Sequence, residues 1–571
     1  MKVFNTTGKC IPSMHYMVDI SRQVEAAAKL VRRGNFFCIN RGRQYGKTTT
    51  LALLKKKLEG EGYAVFSLSF EGLGDSAFKS DETLMFASLL LMNDSVEWDE
   101  VQNLSDSSKE VLRLSVSSED KTMDSLSFNR TVSKMSKTDK IVLLIDEVDA
   151  AGNHIEFIHF LGLLRNMYLK RDERPTFQSV ILAGVYDVKN LKLKLRPEEQ
   201  HQYNSPWNIA VTFDANMSLP ADGIAGMLAE YKADHHISFD EHFVGQMIYD
   251  YTSGYPFLVS RICQIMDESG LTWDREGVLA AVNHLLKEHN TLFDDMEKKV
   301  SQFPTLAETL KAIIFGGKRV SFNYYDRDLN IAIMFNFVKE YQGATLIYCR
   351  IFETWLYNLF ISNAKDTSIY QQGEYDKPRF VHDGYLDMRL LLERFCVHFN
   401  EIYRPGHDDE FVENNGRQIF LTYLRSVING IGNYYCEAQT RDLTRTDVII
   451  DYLGQQYVVE LKIWRGEAYN ERGELQLSEY LDYYHLQTGY MLSFCFNRNK
   501  QPGLHEVVIG DKKLYEVVVL LRENTERPVA RMRTTPCCPA SSRATRFSSL
   551  IWCQLRGRVV PSRSIIIALI M

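Results

Sequence analysis

The chain has 571 residues, 45% of them hydrophobic and 24% charged. That composition excludes a fibrous or disordered polymer, and the length exceeds one hydrophobic core, so about three or four domains of roughly 150 residues are expected. A net charge of -7 provides no global basic field, and any site for nucleic acid or anionic membrane must be local. The ten cysteines contain no C-x-x-C pair and none has a His partner at zinc spacing. Disulfide frameworks and zinc sites are therefore not expected, and a reducing cytosol fits.

The N-terminus "MKVFNTTGKC" lacks the apolar run of a signal peptide. No internal stretch approaches the roughly 20 apolar residues of a spanning helix, so a cytoplasmic, membrane-free protein is predicted. Five short apolar segments follow: "FFCIN" (36-40), "YAVFSLSF" (63-70), "IVLLI" (141-145), "SVILAGV" (179-185) and "WNIAVTF" (207-213). Continuous apolarity marks strands covered on both faces. Helical patterns such as "TTLALLKKKLEGEG" and "HIEFIHFLGLLRNMYLK" lie between them, which predicts a parallel α/β sheet with crossover helices.

The first strand runs into "INRGRQYGKTTTL" (39-51) and then into a helix. The phosphate-loop pattern G-x-x-x-x-G-K-[ST] would place its first glycine at Arg41, and Gly42 comes one step late. Gly42, Gly46, Lys47, Thr48 and Thr49 are the expected nucleotide contacts. Backbone N–H groups and the helix N-terminus converge on the anion, Lys47 reaches the β- and γ-phosphates, and Thr48 offers its hydroxyl to Mg²⁺. In "IVLLIDEVD", Asp146 is placed in the Mg²⁺ shell and Glu147 beside the attacking water. "YAVFSLSF" is read as the extra strand between these motifs, as in additional-strand ATPases. Tyr186 and Asp187, closing the fourth strand, stand where a γ-phosphate sensor is expected.

From 216 to 295 amphipathic helices replace strands and predict a helical lid. "SGYPFL" (253-258), with Gly254 and Pro256, reads equally as a lid motif or a helix–helix corner. Residues 296-362 mix helix with the strand candidates "KRVSFN" and "GATLIYCR", a winged-helix-like pattern. The polar stretch "SNAKDTSIYQQGEYDKPRF" (362-380) predicts a linker, set at 363-390, and a second α/β domain is expected at 391-522. From Arg527 onward eight arginines occur without any lysine, aspartate or glutamate, and Cys537, Cys538 and Cys553 cluster there. The segment 523-571 is read as a frame-shifted or disordered tail rather than a nucleic-acid arm. Arg165, Arg196 and Arg261 are all conceivable arginine fingers.

"RTDVIIDYLGQQYVVELKIW" (445-464) reads as a β-hairpin turning at Gly454 and Gln455. That turn sets Asp447 opposite Lys462 and Ile449 opposite Glu460. Alternation then puts Asp447, Glu460 and Lys462 on one face and Val448, Ile450, Val459, Leu461 and Ile463 on the other. Two carboxylates can hold Mg²⁺ against a phosphodiester while the lysine stabilises charge or positions water. The bland alternative is a hairpin with one solvated face. Glu437, Asp442 and Asp451 are read as surface acids, and His235 and His236 as exposed.

On "HYMVDI" (15-20), "INRGRQYGKTTTL" and "LLIDEVD", residues 1-522 resemble bacterial AAA-ATPase-like proteins with a C-terminal PD-(D/E)XK nuclease-like domain. In that family the first loop glycine is commonly missing. The resemblance implies a P-loop ATPase core at 1-215, then lid and winged-helix-like module, then a restriction-endonuclease-like domain. Asp447, Glu460 and Lys462 match its D…E-x-K signature, although Thr446 stands where the proline belongs. Glu413, at the start of the helix in "FVENNGRQIFLTYL", resembles that superfamily's helix glutamate. Gln476 and Tyr480 in "QLSEY" resemble the Q-x-x-x-Y motif of RecB-type nucleases. Asp447 and Glu460 would then be metal ligands, as would Thr48 and Asp146 at the first site. The expected function is an ATPase, using ATP and Mg²⁺, coupled to a Mg²⁺-dependent nuclease acting on DNA, with a homo-oligomer allowed. The rival is a nucleotide-gated switch whose C-terminal domain binds nucleic acid or protein without cutting. A plain scaffold would bind no ATP at all.

Overall fold

The computed structural model describes residues 1-520 apart from 118-119, 186-206, 316-320, 324-325, 342, 362-367, 383, 403-412, 430, 437-446, 464-473, 475-476, 479-480, 483-485 and 496-499. The expected tail at 523-571 lies outside the described residues, as do Tyr186, Asp187 and Arg196.

Two short strands, β1 (Val3–Phe4) and β2 (His15–Tyr16), pair in parallel ahead of α1 (Ser21–Arg32). The core sheet is built from β3 (Phe37–Asn40), β4 (Ala64–Ser69), β5 (Ile141–Asp146), β6 (Ser179–Gly184) and β7 (Val211–Thr212). These run parallel in the order β4-β5-β6-β3-β7. Every residue of β5 and β6 is buried, because helices cover both faces. Alternation divides the strands between two cores: Phe37, Val142, Leu144 and Ile181 serve one, Phe66, Leu143, Ile145 and Val180 the other.

Two expectations need correcting. The strand that separates β3 from β5 is β6, whereas β4, the segment "YAVFSLSF", lies beyond β5 at the sheet edge. Sequence order alone does not say which strand a crossover inserts. In addition, "WNIAVTF" shrinks to the two residues of β7, since Trp207–Ile209 form a turn that buries the indole.

The helix α2 (Lys47–Gly60) leaves the phosphate loop. Between β4 and β5 lie α3 (Asp81–Glu97), α4 (Asp106–Ser115) and α5 (Ser125–Met135), and α6 (Ile155–Leu169) follows β5. Ser80 and Thr83 close a capping box on α3, and Asp124 caps α5.

The helical region expected at 216-295 comprises α7 (Ala221–His235), α8 (Glu241–Thr252), α9 (Pro256–Glu268) and α10 (Arg275–Lys287). The corner between α8 and α9 takes left-handed backbone at Ser253 (φ 48°) and Gly254 (φ 72°). A Cβ on Gly254 would lie 2.1 Å from the Leu219 carbonyl oxygen, so only glycine fits. Pro256 opens α9, where its missing N–H costs nothing.

Three helices come next: α11 (Thr291–Gln302), α12 (Pro304–Phe315) and α13 (Arg327–Met334). The antiparallel strands β8 (Val338–Tyr341) and β9 (Ala344–Ile347) follow, then α14 (Arg350–Ile361). "GATLIYCR" supplies β9, and within "KRVSFN" Ser321 bridges to Ala344.

The stretch expected as a linker folds from 368 onward as α15 (Ser368–Phe380). Its buried stripe of Ile369, Tyr370, Gly373, Asp376 and Phe380 has helical spacing that the polar composition conceals. A small antiparallel pair, β10 (Val381–His382) and β11 (Tyr385–Leu386), leads to α16 (Met388–Ile402) and α17 (Glu413–Ile428). The last sheet is mixed. Its strands are β12 (Asn433–Cys436), β13 (Asp447–Tyr452), β14 (Gln455–Ile463), β15 (Thr488–Cys495), β16 (Gly503–Ile509) and β17 (Lys512–Leu520), in the order β12-β13-β14-β15-β17-β16. Strands β14, β15 and β17 are parallel, and both edges are antiparallel. Among the described residues no helix is long and apolar enough to cross a membrane.

Candidate functional site

The phosphate loop is held open by its neighbours. The Arg41 N–H donates to the Gly184 carbonyl (3.1 Å), which ties the loop to the end of β6. The Arg41 guanidinium turns away from the loop and donates to the carbonyls of Asn40 (2.8 Å) and Ala215 (3.0 Å). A side chain is therefore tolerated where the pattern asks for glycine.

Gly42 answers a different constraint. A Cβ there would stand 2.8 Å from the side-chain amide of Asn336, a buried residue that follows α13. Oriented to satisfy both ends, that amide accepts the Gly42 N–H (3.2 Å) and donates to the Ile333 carbonyl (3.2 Å). Gly42 thus packs against Asn336 and does not line the cleft, a correction to its expected phosphate contact.

Gln44 and Gly46 adopt left-handed backbone, and Gly46 N-caps α2. The buried Lys47 curls over the loop, with Nζ donating to the carbonyls of Arg41 (3.1 Å) and Gly42 (3.0 Å). Burial pushes its ammonium pKa down, opposed by Glu147, Asp149 and Asp146. The exposed Thr48 hydroxyl donates to Asp146 Oδ2 at 2.8 Å, and Asp146 Oδ1 accepts the Glu147 N–H at 2.9 Å. Glu147 is half-buried with φ 51°, and burial raises its carboxyl pKa. Lys47, Thr48, Asp146 and Glu147 are thus brought together as expected. Thr49 lines the cleft, but its hydroxyl accepts the Cys10 N–H at 3.0 Å and so anchors the N-terminal segment.

These residues floor a cleft of about 400 Å³. Its walls include Thr6, Tyr16, Val18, Met227 and Phe257, so an apolar end adjoins the polar loop. Such a shape suits a base joined to phosphates, and the residues present fit a nucleotide with a divalent cation at Thr48 and Asp146. Sequence reasoning assigned no role to the 5-8 segment, to Asn336 or to Asp149. Asp149 Oδ2 accepts the Val185 N–H at 2.6 Å and so joins the acidic motif to the strand before the expected sensor. Its position three residues after Asp146 was the available signal. Of the finger candidates, Arg261 is engaged by Glu288 (2.6 Å) within the helical region, and Arg165 is half-buried on α6. His236 is exposed as expected, whereas His235 stacks on Tyr231 with centroids 4.1 Å apart.

The C-terminal hairpin has a different register from the one predicted. Asp447 pairs with Glu460, Ile449 with Val458 and Asp451 with Gln456. The turn is Leu453–Gly454, both left-handed (φ 48° and 78°), as a two-residue I′ turn requires. The shift is two residues, so the faces survive: Asp447, Glu460 and Lys462 share one, opposite Val448, Ile450, Val459, Leu461 and Ile463.

That face is not a solvated one. Glu460 and Lys462 are each 2% exposed. Burial lowers the Lys462 pKa against the pull of Glu460, Glu516 and Glu474. The polar face continues across the sheet, where the buried Ser493 donates to Glu516 (2.6 Å) and Lys500 reaches Glu516 at 3.0 Å. Ser493, Lys500 and Glu516 were missed, since they come from strands that the motif spacing does not cover.

The side chains of Asp447, Glu413, Gln476 and Tyr480 lie outside the described residues, as do Glu437 and Asp442. α17, which opens at Glu413, meets the Phe494 ring at Gly416. Alternation along β15 sets Phe494 opposite Ser493. Among the described residues no group of three His, Cys, Asp or Glu stands ready to hold a metal.

Asp451, read from the sequence as a surface acid, is 1% exposed. It accepts hydrogen bonds from Tyr251 Oη (3.2 Å) and Gln456 Nε2 (3.0 Å), and burial still pushes its carboxyl up to about 6. A raised folded pKa favours the protonated acid. The stabilising contribution is complete below about pH 4 and is lost as pH rises through about 6. Asp451→Asn is therefore expected to gain stability relative to wild type, on the order of 2 kcal/mol, between about pH 4 and pH 7. Thermal unfolding of both proteins across that range checks this, and parallel profiles would refute it.

A family model described as an AAA-like domain matches residues 9-357. No curated protein matches the chain. Among solved structures, a Walker-type ATPase of Pyrococcus abyssi aligns at 12% identity and TM-score 0.43, covering 62% of this chain and 99% of that one. A Cdc6p from Pyrobaculum aerophilum aligns at 11% identity and TM-score 0.29, covering 60% and 94%. A DNA replication initiation factor aligns at 12% and 0.26, covering 71% and 92%.

Proposed function

Because the chain belongs to the AAA-like domain family across residues 9-357, we propose that its cleft binds ATP with Mg²⁺ and hydrolyses it. The observation that carries this reading is the Lys47, Thr48 and Asp146 arrangement, with its 2.8 Å hydroxyl–carboxylate contact at the mouth of the loop. On binding, the Lys47 ammonium exchanges the loop carbonyls for phosphate oxygens, while Thr48 and Asp146 hold the cation. Mg²⁺ supplies neutralisation of charge on the phosphates. Glu147, with its pKa raised by burial, accepts a proton from the attacking water more readily near neutral pH.

The proposal extends to a Mg²⁺-dependent nuclease-like domain acting on DNA, beginning at α15 and using Asp447, Glu460 and Lys462. Glu413, Gln476 and Tyr480 would serve it in the roles that the resemblance implies. The register pairing of Asp447 with Glu460, two positions from Lys462 on one face, supports this. Residues 216-295 would act as the lid and 296-362 as a winged-helix-like module. A second reading keeps the ATP-gated core but gives the C-terminal domain a binding role without cleavage. The deep burial of Glu460 and Lys462 favours it.

Purified full-length protein titrated with a fluorescent ATP analogue, and assayed for phosphate release and for DNA cleavage with Mg²⁺ or EDTA, tests both readings. Absence of nucleotide binding rejects the ATPase assignment. Binding and turnover without cleavage select the switch.

A further inference from the structure

Five consecutive residues touch both candidate sites. Tyr255, just before α9, donates its hydroxyl to the Arg43 carbonyl inside the phosphate loop. Its ring meets Tyr45 edge-on, with centroids 4.9 Å apart. The Tyr45 hydroxyl in turn bonds that of Tyr348. Four residues earlier, near the end of α8, the Tyr251 hydroxyl donates to Asp451 Oδ2 at 3.2 Å. Gln456 Nε2 also donates to Asp451, at 3.0 Å, and Arg275 donates to Gln456 Oε1 at 2.8 Å across the same junction. Between the two ends, Lys339 Nζ donates to Ser253 Oγ at 2.8 Å while lying over the Tyr348 ring.

The corner has little slack. Tyr251 and Tyr255 are buried, Ser253 and Gly254 hold left-handed backbone, and Gly254 is jammed against Leu219. At the far end, Asp451 is four residues from Asp447 on the same strand face. Its register partner Gln456 is four residues from Glu460. The pair that the corner grips is therefore rigidly continuous with the acids of the hairpin.

We propose that the Tyr251–Tyr255 corner couples the two sites, so that nucleotide in the phosphate loop sets the position of Asp447 and Glu460 through Asp451 and Gln456. The proposal rests on the nucleotide reading above. Reordering residues 41-46 around phosphates moves the Arg43 carbonyl, and Tyr255 is bonded to that carbonyl. Tyr251 and Asp451 act as positioning residues, and the coupling is reciprocal, since the hairpin biases the loop by the same free energy.

Hydrogen exchange of the full chain, with and without a non-hydrolysable ATP analogue and Mg²⁺, tests it. In wild type, amides of 447-463 are expected to change their exchange rate by about fivefold on nucleotide addition, the low end of typical coupling. Tyr251→Phe removes one hydroxyl, and Arg275→Met keeps its aliphatic stem while losing the bond to Gln456. Both are expected to bind the analogue and to lose the response at 447-463. Should Tyr251→Phe fold poorly, the half-buried Arg275→Met still reads the junction. Binding by wild type with unchanged exchange at 447-463, or a full response in both variants, overturns the coupling and leaves the nucleotide reading intact. Failure of wild type to bind the analogue overturns both together.

Discussion

Lys47→Ala is expected to abolish ATP binding while leaving the nucleotide-free protein as stable as wild type, or more so. Charge-assisted hydrogen bonds contribute about 1.5–3 kcal/mol each, so two of them lost to phosphate weaken binding by roughly 10² to 10⁴. The nucleotide-free ammonium is buried against two carbonyls with its pKa lowered, which means that burial works against its charge. Removing it takes away that cost. Thermal unfolding separates the two effects. Wild type rises in midpoint with ATP and Mg²⁺, as a ligand binding only the folded state must produce, and Lys47→Ala does not. An unaltered dissociation constant in the variant would remove the phosphate loop from the mechanism. Asp146→Asn keeps the Thr48 contact geometry but loses a charge, so it is expected to spare nucleotide binding more than turnover.

The second large effect belongs to the C-terminal face. Asp447→Ala and Glu460→Gln are expected to lower Mg²⁺-dependent DNA cleavage by about 10²-fold or more, the loss typical when one group that stabilises transition-state charge is removed. Lys462→Met goes further. The lysine is buried among Glu460, Glu516 and Glu474, and deleting it leaves carboxylates uncompensated. Breaking a buried charge arrangement in this way costs about 3–5 kcal/mol. Its signature is a loss of thermal stability together with a loss of cleavage, whereas Asp447→Ala separates the two by cutting activity at unchanged stability. If wild type cuts DNA and Asp447→Ala cuts equally well, the hairpin is not the catalytic face.

What could be read from the chain alone is what local geometry determines. The phosphate loop, Lys47, Thr48 and the Asp146–Glu147 pair sit within a few residues of strand ends, and continuous apolar runs identify those strands. The hairpin faces were legible even though the register was not. A slip of two residues preserves side-chain parity, while the choice between turns at 453-454 and 454-455 depends on which residues accept left-handed backbone. Composition misled at 368-380, where polar residues hide a buried stripe, and at Asp451, where a charge was taken to mean exposure.

Other features arise only when distant segments meet. Whether β6 or β4 enters between β3 and β5 is a matter of crossover topology. Gly42 is required because Asn336 arrives from nearly 300 residues away, and Asp451 is buried because Tyr251, 200 residues earlier, closes over it. Periodicity reports how one segment divides itself between core and solvent. Burial, carboxyl pKa and the link between the two sites depend on what the rest of the chain places against that segment.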